Sequence, residues 1–357
     1  MRIDSQFDTF EKIEQLDVNE HERLLLRDIE KNFPTRITSH YLKQIDWENQ
    51  QDPIRKMCVP TTSELDNEGS LDTSGEGNNT VCNGLQHKYR ETALVLFTNE
   101  CATYCRYCFR RRFVGTSKDE VMNDEKEVLN YISTHKEINN VLISGGDPFT
   151  SDTVRLLDFL RKLCEIPSLD YLRIGTKVPL VYPKRILEDS DLLEGLRSCS
   201  LMKQIYIVIQ CNCASELSEE TIRVIQQMKS HGMIFRSQTV LLKGVNDNKD
   251  ELVKLFNKLV SIGVIPYYVF QCRPVKGICE EFQVPLSIGN KIINDTKGAL
   301  NGIAKDFKYC LSTIEGKIEV LGEANGEMLF RYHESPKAEN VGRIFSTRLK
   351  EEQSWIF

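Results

Sequence analysis

Residues 93–115 read ALVLFTNECATYCRYCFRRRFVG. The opening run, ALVLFTN (93–99), predicts a strand, and Cys101, Cys105 and Cys108 follow it at once with the spacing Cys-x3-Cys-x2-Cys. Working outward, the same type of run recurs at NVLISG (140–145), YLRIGTK (171–177), QIYIVIQ (204–210), FRSQTVLL (235–242) and PYYVFQ (266–271). Between these lie amphipathic segments, DEKEVLNYISTHK, SDTVRLLDFLRKL, PKRILEDSDLLEGLR, SEETIRVIQQMKSHG and NKDELVKLFNKLVSIG. Several open on a Ser or Asp cap and read as helices. Short β-branched runs joined by helical crossovers imply a parallel sheet buried on both faces. Six such units in a row predict an α/β fold, a partial (β/α)6 TIM-like barrel. In such barrels the working loops follow the strand C-termini, which is where the cysteine triplet falls.

The rest of the chain divides around that barrel. Residues 1–50 are charged and helix-rich, and 61–86 are polar and Gly-rich, an extended arm packed on something else. The expected organisation is a helical N-terminal extension with the arm over 1–90, the barrel over 91–322 and a C-terminal tail over 323–357. With 357 residues, 27% charged and 40% hydrophobic, the chain is long enough to bury a full core. A net charge of −6 gives no nucleic-acid footprint. No apolar run reaches about 18 residues, and the acidic N-terminus lacks a secretory core. A cytoplasmic protein with no membrane span is expected. Its 12 cysteines are then reduced thiols. Cys164 and Cys272 read as small core residues.

Three thiolates at the Cys101–Cys105–Cys108 spacing can wrap one face of an iron–sulfur cluster and leave one iron open for chemistry. A zinc site completed from elsewhere is the alternative that the spacing leaves open. The run SGGD, Ser144–Asp147, ends the second strand with two glycines that let backbone approach a partner closely, and Asp147 offers an acceptor for an ammonium. Gln210 and Gln238 lie at or near later strand ends and are candidate pocket amides.

The CxxxCxxC spacing is the signature of the radical S-adenosylmethionine (SAM) superfamily, and the chain resembles lysine 2,3-aminomutase and its relatives. The resemblance runs from IDWENQQDPIRKMCVPT (45–61) to about Gly322, through GLQHKY (84–89), CRYCFRRRFVG (105–115), VLISGGDPF (141–149), LRIGTKVPLVYPKRI (172–186), QTVLLKGVNDN (238–248) and PYYVFQC (266–272). It implies a [4Fe-4S] cluster on Cys101, Cys105 and Cys108. That cluster cleaves SAM to a 5′-deoxyadenosyl radical, with Ser144, Gly145, Gly146 and Asp147 at the SAM amino group and Gln210 and Gln238 as SAM or pocket contacts. It also implies pyridoxal 5′-phosphate (PLP) on Lys317, seated by Lys88 and Tyr89, and Arg110 pairing with the substrate carboxylate. GKIEVLG around Lys317 equally reads as a plain strand with that lysine facing solvent. Arg111 and Arg112 are as readily structural.

The departures bear on substrate. The family holds a lysine ammonium with two aspartates; this chain has Arg273 at the first and Cys310 at the second. A cation there repels a lysine side chain and suits an acidic one such as glutamate, unless Arg273 turns to Glu280 or Glu281. Thr92 stands where relatives carry a phosphate-binding arginine. Cys211 and Cys213, in IQCNCASE, replace a Phe and a His and are expected to be inert packing. The cysteine-bearing segment with which lysine aminomutases bridge subunits through zinc is not matched, so that assembly is not implied, and a homo-oligomer stays open. The expected activity moves an amino group from C2 to C3 of an α-amino acid other than lysine. The alternative is a PLP-independent radical step, such as epimerisation or elimination, in the same barrel. The expected partners are a small amino-acid substrate and an electron donor such as flavodoxin or ferredoxin.

Overall fold

A computed structural model describes residues 7–8 and 19–357. Its frame is one twelve-stranded sheet in which each strand pairs with its sequence neighbours. The strands are β1 (Thr80–Cys82), β2 (Leu85–Tyr89), β3 (Thr92–Thr98), β4 (Asn140–Gly145), β5 (Tyr171–Thr176), β6 (Gln204–Gln210), β7 (Ile234–Leu241), β8 (Ile265–Gln271), β9 (Lys308–Thr313), β10 (Gly316–Ala324), β11 (Glu327–Glu334) and β12 (Ile344–Thr347). From β3 to β9 all pairings are parallel. Both flanks, β1–β2 and β10–β12, are antiparallel. The six expected strands are therefore present, and β9 adds a seventh parallel strand. Residues of the expected tail pair into the same sheet as β11 and β12.

Helices cross between the parallel strands: α2 (Glu125–Thr134), α3 (Thr153–Cys164), α4 (Ser190–Met202), α5 (Glu219–Ser230) and α6 (Lys249–Ser261), with α1 (Glu20–Asn32) before the sheet and α7 (Leu286–Ala299) preceding β9. Asp124, Asp152, Asp189, Ser218 and Asn248 each accept a backbone N–H of the first turn, so the cap residues in the sequence set where α2 to α6 begin. The single helix expected over 183–197 is two: Lys184–Leu187, then α4. Asp189 caps Leu192 N at 2.8 Å and restarts the chain there. Among the described residues no helix is long and apolar enough to cross a membrane.

Strand alternation divides the sheet into two faces. Ile143, Ile174, Ile207, Ile209 and Val269 are buried on the helix side. Their neighbours Ser144, Gly175, Val208, Gln210 and Phe270 face an interior cavity. Polar and small residues on that inner face leave about 350 Å³ unfilled where aliphatic layers would otherwise pack. The sheet's two ends approach across this cavity. Lys88 Nζ of β2 donates to Thr313 O of β9 at 2.7 Å and to Ser74 O at 3.0 Å.

The N-terminal extension clamps the cysteine loop. Tyr104 N donates to Arg36 O and Arg106 N to Met57 O, each at 2.8 Å. Arg106 is the largest fully buried side chain. It forks onto Glu64 at 2.6 and 2.8 Å and also donates to the carbonyls of Phe33 and Pro34. Arg111 joins the same carboxylate at 2.6 Å and donates to Gly277 O.

Candidate functional site

One cavity is lined by Cys101, Cys105, Cys108, Ser144, Gly145, Gly146, Asp147, Gln210, Gln238, Lys88, Tyr89, Arg110, Arg273 and Lys317, whereas Cys310, Arg111 and Arg112 lie outside its lining. The three cysteines sit in the irregular loop after β3 and are free thiols. Burial pushes all three thiols up, Cys108 to about 11 with the Cys105 charge second. A soft metal centre that binds thiolates removes the cost of leaving such groups buried. Among the described residues no three His, Cys, Asp or Glu side chains converge on a single-ion site. Three thiols in one loop are a donor set that fits a multi-iron cluster with one iron left open.

The SGGD turn is built differently from the sequence expectation. Gly145 has φ +110, and a Cβ there would lie 2.4 Å from Thr98 O; one on Gly146 would lie 2.2 Å from Glu100 O. The glycines are thus demanded by docking on the backbone at the end of β3. Asp147 accepts from Thr176 Oγ1 and from the amides of Lys177, Val178 and Phe149. Its carboxylate ties the turn to the end of β5, so its acceptors are already engaged within the chain. Lys177 in turn pairs with the buried Glu216, which also accepts from Tyr41 and from the amides of Asn212 and Cys213.

Three of the cations that line the cavity, Arg110, Arg273 and Lys88, lie near the polar arm, with Arg112 behind them. Arg110 donates through Nε and Nη2 to Glu76 and through Nη1 to Ser144 Oγ at 3.0 Å. Arg112 pairs with Glu120 and with the same Glu76, both at 2.6 Å. Burial alone would raise the Glu76 carboxyl; Arg110, Arg112 and Arg273 hold it down at about 2. Arg273 lies over the Phe109 ring at 3.8 Å and donates to Ser74 Oγ at 2.8 Å. Among the described residues no carboxylate stands within ion-pair range of Arg273, and Glu281 pairs with Lys56 instead. Burial first, opposed by Glu76, pulls Arg273 down to about 10, and burial with Arg273 beside it pulls Lys88 down to about 8.

Lys317 does not face solvent. It points from β10 into the cavity, over the rings of Tyr268 at 4.6 Å and Tyr89 at 5.6 Å, and pairs with Glu334 at 2.6 Å. An amine between aromatic walls, with the Lys88 cation at the same Tyr89 ring and in the same cavity, fits an aldehyde-bearing phosphorylated cofactor such as PLP. Cys211 and Cys213 are fully buried, with Cys211 Sγ directed to Cys213 O and Cys213 Sγ to Ser215 Oγ, and neither lines the cavity. Sequence reading missed Glu76, Glu64, Arg106, Glu334 and Arg173. Each pairs across a long stretch of chain, and the only hint was an acidic residue in a Gly-rich arm that otherwise reads as solvated.

The chain is similar to known proteins over most of its length. Residues 95–256 match the radical SAM superfamily. A protein of Aquifex aeolicus named "Putative L-lysine 2,3-aminomutase" is 38% identical over 95% of this chain and 91% of its own. The L-lysine 2,3-aminomutase of Clostridium subterminale is 36% identical over 79% of this chain, which spans 66% of that relative's length. The glutamate 2,3-aminomutase of Clostridioides difficile is 33% identical over 83% of this chain and 69% of its own.

Proposed function

This chain belongs to the lysine 2,3-aminomutase family of the radical SAM superfamily, and from that premise we propose that it moves an amino group from C2 to C3 of an α-amino acid with an acidic side chain, using PLP. The observation that carries the reading is one shared cavity holding three thiols, a lysine between two tyrosine rings, and an arginine with no carboxylate partner among the described residues. When bound, the cluster and SAM supply a 5′-deoxyadenosyl radical, and PLP supplies a π-system beside the migrating nitrogen.

The chain's own residues do the positioning. Cys101, Cys105 and Cys108 hold the cluster at the barrel mouth. The Ser144–Asp147 turn, pinned on Thr98 and Glu100, shapes the SAM-facing wall, with the amides of Gln210 and Gln238 on neighbouring strands. Lys317 joins PLP, and Lys88 and Tyr89 seat it. Arg110 takes the substrate's α-carboxylate by exchanging part of its bond set with Glu76. Arg273 takes the side-chain carboxylate, because a guanidinium in a low-dielectric cavity repels an ammonium and stabilises an anion. An electron donor of the flavodoxin or ferredoxin class supplies the reducing electron.

The test is anaerobic reconstitution with iron and sulfide, then incubation with SAM, PLP, a reductant and a panel of amino acids. Mass detection of 5′-deoxyadenosine together with a β-amino acid from glutamate or aspartate is the expected result. Turnover of lysine in preference to acidic amino acids overturns the substrate assignment. 5′-Deoxyadenosine with an unrearranged product would favour the PLP-independent alternative.

A further inference from the structure

Glu334 stands beside Lys317 from a part of the chain outside the barrel. The two are register partners on the antiparallel strands β10 and β11, and their side chains meet inside the cavity with Nζ 2.6 Å from Oε2. Among the described residues no other carboxylate stands within ion-pair range of this ammonium. Glu319, two residues along β10, pairs with Arg331 instead. Tyr89 and Tyr268 are neutral rings, and the Cys310 thiol of β9 is pushed up to about 12 by burial. His333 is held below its ordinary value by burial and shares its Nε2 with Tyr268 OH. From β5, Arg173 adds a second positive charge near Glu334. Lys308 of β9 and Glu319 of β10 oppose one another in their effect on His333 and Cys310.

We infer that Glu334 is the counter-ion that receives Lys317 whenever this lysine is not joined to PLP, and that it thereby sets the balance between the free and the joined lysine. This rests on the reading that Lys317 is the PLP-bearing residue. Joining needs the neutral amine. The ammonium first gives a proton to solvent, then the amine nitrogen and the aldehyde carbon form a C=N bond and water leaves. When a substrate that arrives as its ammonium takes over that carbon, its nitrogen gives up three protons as its C=N bond forms, the lysine's C=N bond breaks, and Lys317 departs with three protons on its nitrogen. The departing group is then an ammonium, and Glu334 lies where it is needed. The same pair opposes rejoining, because the 2.6 Å contact with Glu334 and the contacts with the two rings must be given up before the nitrogen reaches the aldehyde.

The experiment is a spectral titration of purified protein with PLP across pH, following the visible absorption band of the joined lysine, with no substrate turnover involved. In Glu334→Gln the ammonium loses its counter-ion. The midpoint pH for band formation is expected to fall by about one unit or more, and PLP is expected to load more tightly at neutral pH. Displacement of the band by an added amino acid should then need a higher concentration. Glu334→Asp, which keeps the charge on a shorter arm, should return the midpoint part of the way; it also serves if the Gln variant folds poorly. A midpoint that stays put or rises in both variants overturns the inference while leaving Lys317 as the PLP residue. A band that survives in Lys317→Ala overturns the underlying reading, and the inference with it.

Discussion

Arg110 donates to Glu76 through Nη2 at 2.9 Å and Nε at 3.1 Å, so the guanidinium expected to read a substrate carboxylate is already paired within the chain. The partner comes from the Gly-rich arm that precedes β1, and it also takes Arg112 at 2.6 Å. One buried carboxylate therefore holds together the arm, the cysteine loop and, through Arg110 and Ser144, the end of β4.

Replacing that carboxylate by an amide, Glu76→Gln, leaves the cations without their shared anion. Removing one member of a buried pair costs about 3–5 kcal/mol, less where an amide keeps some hydrogen bonds. A fall of several degrees in Tm is expected. The pH dependence has a definite sign. The carboxyl is lowered from 4.5 to about 2 on folding, so the unfolded chain binds the proton more readily between those values. The stabilisation is present above about pH 4.5 and is lost as pH falls through about 2. Urea titrations from pH 6 to pH 2 should show this acid loss in the wild type, and the loss should be shallower in Glu76→Gln.

Any one of Cys101→Ala, Cys105→Ala or Cys108→Ala should abolish cluster retention after anaerobic reconstitution, measured as iron and acid-labile sulfide per chain. Production of 5′-deoxyadenosine should fall to background in the same samples. Cys211→Ala and Cys213→Ala should keep full iron and sulfide, since both side chains are buried away from the cavity. Loss of iron in Cys213→Ala, or its retention in Cys105→Ala, would reverse the assignment of ligands.

The barrel strands and their crossovers were legible because period-2 burial and helix caps are local signals. β6 is the clearest: QIYIVIQ alternates between helix-side isoleucines and cavity-side Val208 and Gln210. The helix α7 was missed because Pro285 precedes it and no side chain caps it. The flank β10–β12 was missed beyond GKIEVLG because antiparallel pairing follows tertiary contact and leaves no crossover pattern. In the site, the thiols and the Gly-Gly turn stood out by spacing. The acids that organise it did not: Glu76 lies 34 residues from Arg110, and Glu64 lies 42 from Arg106. A lone acid in a polar arm looks solvated until the fold brings a buried guanidinium to it.

The Glu64–Arg106 pair makes the next prediction. Both side chains are 1% exposed, and the guanidinium also satisfies the Phe33 and Pro34 carbonyls after α1. Arg106→Ala strands the carboxylate, although Arg111 remains on it, and frees two buried carbonyls. A loss of about 3–5 kcal/mol is expected in denaturant unfolding. Because Arg106 lies between Cys105 and Cys108, the cysteine loop should also become open to protease before global unfolding. An unchanged cleavage pattern would show that the loop is held by its backbone bonds to Arg36 and Met57 alone.

Arg273 gives the test of substrate choice. Its guanidinium lies over Phe109 at 3.8 Å and is held by one bond to Ser74 Oγ, and among the described residues its other N–H groups have no hydrogen-bond partner. An acidic side chain can take those donors, and a hydrogen bond to a charged group contributes about 1.5–3 kcal/mol. Arg273→Gln should therefore lower kcat/KM for an acidic amino acid by about tenfold or more, mainly through KM, since the contact is made equally in the ground and transition states. Arg273→Asp should go further, because an anion at that position repels the acid and attracts an ammonium. The Asp variant should gain turnover of lysine while losing that of glutamate. If both variants turn over glutamate as the wild type does, the side chain is read elsewhere in the cavity, where Lys88 is another lining cation.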